Sequence, residues 1–123
     1  MGTILVLDDD EMILETISII LKNEGYDILT GTNGNEGLKL CGEHKIDLVI
    51  TDIVMPDKEG LETIGDLRRR FPGIKIIAIS GGGRIGPKNY LQLAEKLGAQ
   101  KTLEKPFTKK DILLAVQEVL REH

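Results

Sequence analysis

Residues 47–52 read Asp47-Leu48-Val49-Ile50-Thr51-Asp52, an apolar β-branched run closed at once by an acid. A strand with one wet face alternates apolar and polar residues. A continuous run such as Leu48-Val49-Ile50 suits the middle of a parallel sheet, where both faces are covered. Working outward, similar runs lie at Thr3–Leu7, Asp27–Thr30, Lys75–Ile79 and, more weakly, Gln100–Glu104, beside Asp47–Thr51 itself. The segments between them carry apolar residues at helical spacing: Ile13, Leu14, Ile17 and Leu21 within 11–24; Leu38 and Cys41 within 34–43; and Leu61, Ile64 and Leu67 within 59–70. Tyr90, Leu91, Ala94 and Leu97 do so within 89–97, and Ile112, Leu113, Val116 and Leu120 within 108–122.

The punctuation agrees with this division. Gly25 and Gly98 stand where helix-ending glycines belong. Thr108 and Asp111 have the spacing of a capping box, and Asp10 precedes the first helix as a cap. Pro87 can open the fourth helix. Gly34, Gly37 and Gly42 make the second helix the weakest. Five strands alternating with five helices predict an α/β, doubly wound (βα)5 fold. Its five-stranded sheet is parallel, with right-handed crossovers and helices on both faces.

Composition sets the class. The 123 residues are expected to form a single domain over 1–123, with no output domain. Hydrophobic residues at 41% and charged residues at 29% exclude a disordered tail, and no apolar run has the length of a membrane span. The N-terminus lacks the basic start of a signal peptide. Sixteen basic against twenty acidic residues leave a charge of −4, which argues against direct nucleic-acid binding. The one cysteine, Cys41, reads as a small buried hydrophobe that forms no internal disulfide, and His44 and His123 read as surface residues. A reducing, cytoplasmic setting with no membrane association follows.

In an open parallel sheet, ligands bind beyond the carboxyl ends of the strands, where the strand order reverses. Asp8, Asp9 and Asp10 follow the first strand, Asp52 the third, Ser80 the fourth, and Lys105-Pro106 the fifth. An order of 2-1-3-4-5 makes strands one and three neighbours, which brings Asp8 and Asp9 beside Asp52. Clustered carboxylates with no cysteine or histidine nearby suit Mg²⁺. A lysine and a hydroxyl beside them suit a phosphoryl group, and a carboxylate can act as its acceptor. Taken singly, the acids and the serine are more often turns or caps and the lysine a solvated surface residue; the set together points to phosphoryl transfer by positioning and charge.

With these residues in hand, the chain resembles the receiver domain of two-component response regulators, the CheY-like, flavodoxin-like superfamily. The matching segments are Ile4-Leu5-Val6-Leu7-Asp8-Asp9-Asp10, then 47–56 from Asp47 through Asp52 to Pro56, then Gly60. Ile79-Ser80-Gly81 and Lys105-Pro106-Phe107 complete them. The resemblance implies that Asp52 is the phosphoacceptor for a phosphohistidine on a sensor histidine kinase or a histidine phosphotransfer protein. It implies that Asp8, Asp9, Asp52 and the backbone carbonyl of Val54 hold Mg²⁺, Asp8 mainly through water. Ser80, the amide of Gly81 and Lys105 would bind the phosphoryl group, and the Lys105–Pro106 peptide would be cis. The chain would then be a signalling phosphoacceptor that assists its own phosphorylation and not an enzyme in the usual sense. Its output would be a changed surface around the fourth and fifth strands and the fourth helix, read by a protein target or by an output domain outside this chain.

The sequence also departs from the family pattern. Thr102 stands where an aromatic switch residue is common, three positions before the lysine. Val54 and Gly82, at positions that tune phosphoryl lifetime, cannot orient an attacking water, which predicts slow self-hydrolysis. The loop Gly81-Gly82-Gly83-Arg84-Ile85-Gly86 satisfies G-x-G-x-x-G, but it follows the fourth strand, not the first, and reads as coincidence. Arg68-Arg69-Arg70 has the composition of a nucleic-acid or partner patch, but reads first as a helix end complementing its dipole. Lys109-Lys110 opposes the dipole of the last helix, and only a partner-facing role accounts for it. Two other readings remain at this stage: an aspartate-nucleophile phosphatase or phosphotransferase acting on small molecules, and a degenerate receiver that binds without being phosphorylated. Val54, where the former class wants a second acid, speaks against the first. The intact Asp8, Asp9, Asp52, Ser80 and Lys105 set speaks against the second.

Overall fold

The structure, a computed structural model, describes residues 2–53, 60–80, 92 and 94–121. Strands β1 (Thr3–Leu7), β2 (Asp27–Gly31), β3 (Leu48–Asp52), β4 (Lys75–Ser80) and β5 (Lys101–Glu104) form one sheet in the order β2-β1-β3-β4-β5, every pair parallel. Helices α1 (Glu11–Asn23), α2 (Gly34–Glu43) and α3 (Gly60–Arg70) alternate with the strands. A fourth helix, α4, is represented by helical residues 92 and 94–97, and α5 (Lys109–Arg121) ends the described chain. Pro87, Tyr90 and Leu91, expected in the fourth helix, lie outside the described residues.

The two apolar faces of the strands explain the layering. Leu5, Leu7, Val49, Ile76 and Ala78 point to one side, where Leu38, Ile64, Leu67 and Ala94 of α2, α3 and α4 cover them. Ile4, Val6, Leu48, Ile50, Ile77 and Ile79 point to the other, against Ile17 and Leu21 of α1 and Ile112 and Val116 of α5. All five residues of β3 are buried, as its unbroken apolar run requires. Cys41 is buried on the first of these faces, and burial pushes its thiol up to about 11.

The local signals act where they were read. Asp10 caps α1, its Oδ1 accepting from the amide of Met12 at 2.9 Å. Thr108 and Asp111 exchange side-chain-to-amide bonds of 2.9 and 3.1 Å, a complete capping box. Gly25 and Gly98 adopt φ of 99° and 120°, the left-handed region that side chains avoid. Asn33, not singled out in the sequence, caps α2 through the amide of Glu36 at 2.8 Å. The strands β3 and β4 each run one residue past their expected ends, so Asp52 and Ser80 belong to the sheet itself. Their backbones are therefore held by the ladder and do not hang on loops.

Candidate functional site

The strand order makes β1 and β3 neighbours, with Leu7 paired to Thr51. The residues just beyond, Asp8 and Asp52, are thereby brought side by side. Asp8, Asp9 and Asp52 each offer a carboxylate oxygen, and these oxygens lie within 4.8 Å of one another. Asp8 and Asp52 are 1% and 5% exposed, whereas Asp9 is open to solvent. Two buried carboxylates and one exposed one form a mouth, with a dry wall behind an accessible ligand.

Backbone donors aim these groups. The amide of Asp10 donates to Asp8 Oδ1 at 2.9 Å, so Asp10 serves both α1 and Asp8. The Asp8 amide is tied to the Gly31 carbonyl of β2 at 3.2 Å. On the other side, the Ile53 amide donates to the Ile79 carbonyl at 2.9 Å, which fastens the end of β3 to β4. Gly60 then returns the chain to the same point, its amide donating to the Ile53 carbonyl at 2.7 Å.

Lys105 closes the site. Its backbone amide donates to the Ser80 carbonyl at 2.8 Å, and the Lys105–Pro106 peptide is cis. Its Nζ reaches Asp8 Oδ2 at 2.9 Å and Asp52 Oδ2 at 3.0 Å. One ammonium therefore bridges the two buried acids, from 97 and 53 residues away. Burial alone would lower the lysine's pKa, but both carboxylates hold its proton and the net shift is upward. Asp8 moves up as well: burial dominates, and the Asp10 amide and Lys105 offset it only in part, with Asp52 adding like-charge repulsion.

Ser80, at the end of β4, is fully buried, and its Oγ has no hydrogen-bond partner among the described residues. An unpaired buried hydroxyl costs about 1–3 kcal/mol, so the fold tolerates here a donor it does not use. A Ser80→Ala variant is accordingly expected to be as stable as the parent or more so, by up to about 1 kcal/mol. Chemical denaturation would show it, and a loss beyond about 1 kcal/mol would mean that the hydroxyl is paired in solution.

The raised pKa of Asp8 sets a second expectation. A carboxyl raised on folding favours the native state in its neutral form. Its contribution is fully present below the ordinary value of 3.8 and is lost as pH rises through the folded value. In chelator, Asp8→Asn should therefore match the parent at the acid end and exceed it in stability as pH climbs above 3.8. A stability difference that does not change with pH between the acid limit and neutrality would contradict this.

Most of the residues expected in the site, Asp8, Asp9, Asp52 and Lys105, do converge, and Ser80 stands at the adjoining strand end. Val54 and Gly81 lie outside the described residues, as do Gly82 and the rest of the glycine-rich loop, and His123. Thr102 is half-buried in β5, opposite Ala78 of β4. The sequence showed Gly60 only as a motif residue; its buried position against the backbone of Asp52 and Ile53 came from the structure. In sequence, Arg68 and Arg69 likewise stand only as helix-end charges. Arg68 in fact clasps the carbonyls of Pro72 and Gly98 at 2.8 and 2.7 Å, and Arg69 pairs with Asp66.

Fold and site together are those of a response regulator receiver domain, a family whose model matches residues 4–117. The chain belongs to that family, the phosphoacceptor signalling modules of two-component systems. It is 29% identical over 119 residues to the transcriptional regulatory protein GlrR of Escherichia coli K12, which covers 97% of this chain but 26% of that one. The chain thus spans about a quarter of the length of the curated relatives it matches. Among solved structures, a CheY-like receiver domain protein from Methanospirillum hungatei superposes with a TM-score of 0.91 at 30% identity, covering 99% of this chain and 95% of that one. The beryllofluoride-activated NtrC4 receiver domain dimer does so with 0.89 at 32% identity, covering 99% and 98%.

Proposed function

We propose that Asp52 accepts a phosphoryl group from a phosphohistidine of a sensor kinase or phosphotransfer protein, in a reaction that needs Mg²⁺. The observation that carries this reading is the single ammonium of Lys105 held between Asp8 and Asp52. An Asp52 oxygen attacks phosphorus, the bond from phosphorus to the imidazole nitrogen breaks, and that nitrogen keeps the electron pair and takes up a proton. Lys105 is placed to follow the charge as it passes from the Asp52 carboxylate onto the phosphoryl oxygens. Ser80 has a hydroxyl to offer those oxygens at no loss of a bond to any described residue.

The donor set fits a hard divalent cation: three carboxylate oxygens close together, one pair of them buried, with no sulfur or imidazole among the group. Asp8, Asp9 and Asp52 would hold it, with the Val54 carbonyl as a further ligand. When bound, Mg²⁺ supplies positive charge that offsets the carboxylates and the incoming phosphate. NtrC4, whose receiver domain was obtained in a beryllofluoride-activated form, supports the reading by likeness.

The output, on this reading, is a change of surface around β4, β5 and α4 that a protein target or an output domain reads in the cytoplasm. No helix among the described residues is long and apolar enough to cross a membrane. Direct nucleic-acid contact is not part of the proposal, given the net charge of −4. The test is intact mass after incubation with acetyl phosphate, with and without Mg²⁺, beside Asp52→Asn. One added phosphoryl group that needs Mg²⁺ and is absent from the variant is the expected result. The same gain in Asp52→Asn would overturn the assignment.

A further inference from the structure

Of the three consecutive arginines, Arg68 and Arg69 are engaged within the fold, but Arg70 is exposed and has no carboxylate partner among the described residues. It lines a cavity of about 1060 Å³ at the amino ends of the strands, opposite the Asp52 site. Lys45, also exposed and without a carboxylate partner among the described residues, lines it too, together with His44 and Lys75. Among the described residues, the one acid in the lining is Asp47, and its Oδ2 already accepts from the Thr3 amide at 2.8 Å. A chain with a net charge of −4 thus places Lys45, Arg70 and Lys75 around one recess.

The floor is apolar. Ile74, 6% exposed, and half-buried Phe71 and Leu120 face the same cavity. The dipoles of α2 and α3 account for positive charge near their carboxyl ends, but not for a recess with an apolar floor between the charges. The recess is open to solvent, and a concave surface that joins apolar residues to a few convergent charges is the kind of place that holds an amphiphilic small molecule. We propose that this cavity binds an organic anion with a flat apolar body, its charged group toward Arg70 and Lys45 and its body against Phe71 and Ile74. The site is separate from Asp52 and does not depend on phosphorylation.

The probe is 8-anilinonaphthalene-1-sulfonate, titrated into the full chain at low salt and followed by amide NMR. Its neutral analogue N-phenyl-1-naphthylamine and inorganic phosphate serve as the two half-ligands. Saturable shifts confined to residues 44–47 and 70–75 are expected. Both half-ligands, and a Lys45→Ser/Arg70→Ser variant titrated with the sulfonate, should bind about tenfold or more weakly by comparison. The variant should still take up one phosphoryl group at the parent's rate, which shows that it is folded and separates this proposal from the Asp52 reading. Equal affinity for the neutral analogue, for phosphate alone, or in the variant would overturn the proposal. So would shifts centred instead on the exposed Met12 and Ile19 of α1.

Discussion

A Gly60→Ala variant is expected to lose about 3 kcal/mol of stability, a fall in Tm of about 10 °C. Gly60 is buried at the first turn of α3, where that helix meets the end of β3. A Cβ there would meet the Asp52 carbonyl oxygen and Ile53 Cα closer than real Cβ atoms ever sit, and the Ile53 carbonyl oxygen at 2.6 Å. All three are backbone atoms of a buried strand end, so no side-chain rotation relieves the contact. The contrast is Gly37, where the nearest atoms to an added Cβ belong to the Leu7 side chain. Relief at Gly60 requires shifting α3 away from β3, or shifting the backbone that carries Asp52. The variant should therefore also take up phosphate from acetyl phosphate more slowly than the parent at a temperature where both are folded. A Tm within about 2 °C of the parent would show that the junction yields without cost.

Lys105→Ala is expected to reduce the rate of phosphoryl uptake about 100-fold at saturating Mg²⁺, the scale of losing one charge-stabilising donor from a reacting centre. The same change should lower the stability of the metal-free protein by about 2 kcal/mol at neutral pH. It strips the ammonium from two buried carboxylates. The two effects separate on adding Mg²⁺. A cation among Asp8, Asp9 and Asp52 offsets their repulsion and should restore most of the stability, whereas the rate stays low because nothing replaces the lysine on the phosphoryl oxygens. Denaturation in chelator and in Mg²⁺, with the uptake rate measured alongside, checks both halves. A Lys105→Ala protein that is phosphorylated at the parent's rate would remove Lys105 from the proposed chemistry.

How much of this was legible beforehand varies with the range of the interaction. Asp10, Thr108 and Asp111 were readable because a cap acts within three residues, through atoms the sequence itself places together. The strands were readable because burial on both faces leaves an unbroken apolar run, as in Leu48-Val49-Ile50. Their ends were less so: Asp52 and Ser80 looked like the first loop residues, since a polar side chain is the usual sign that a strand has stopped. Here each one keeps its ladder partner, and Asp52 turns its carboxylate to Lys105.

The arginine run shows the opposite limit. Arg68, Arg69 and Arg70 are identical in sequence terms and alike in their distance from the helix end. Their fates differ because the turn at Gly98 and the Gln100 side chain approach Arg68 alone. Nothing local encodes that approach; it follows from β5 lying beside β4, thirty residues on.

By itself the sequence determined the alternation of strands and helices, the caps that bound them, and an acid, hydroxyl or lysine at four strand ends. Each of these depends on periodicity or on neighbours a few positions apart. Only the tertiary structure decided that one lysine bridges Asp8 and Asp52, that the buried Ser80 hydroxyl has no partner among the described residues, and that Arg70 faces a cavity at the far end of the sheet. Those outcomes depend on which strands become neighbours, and that choice is made by burying two apolar faces at once, a balance summed over the whole chain.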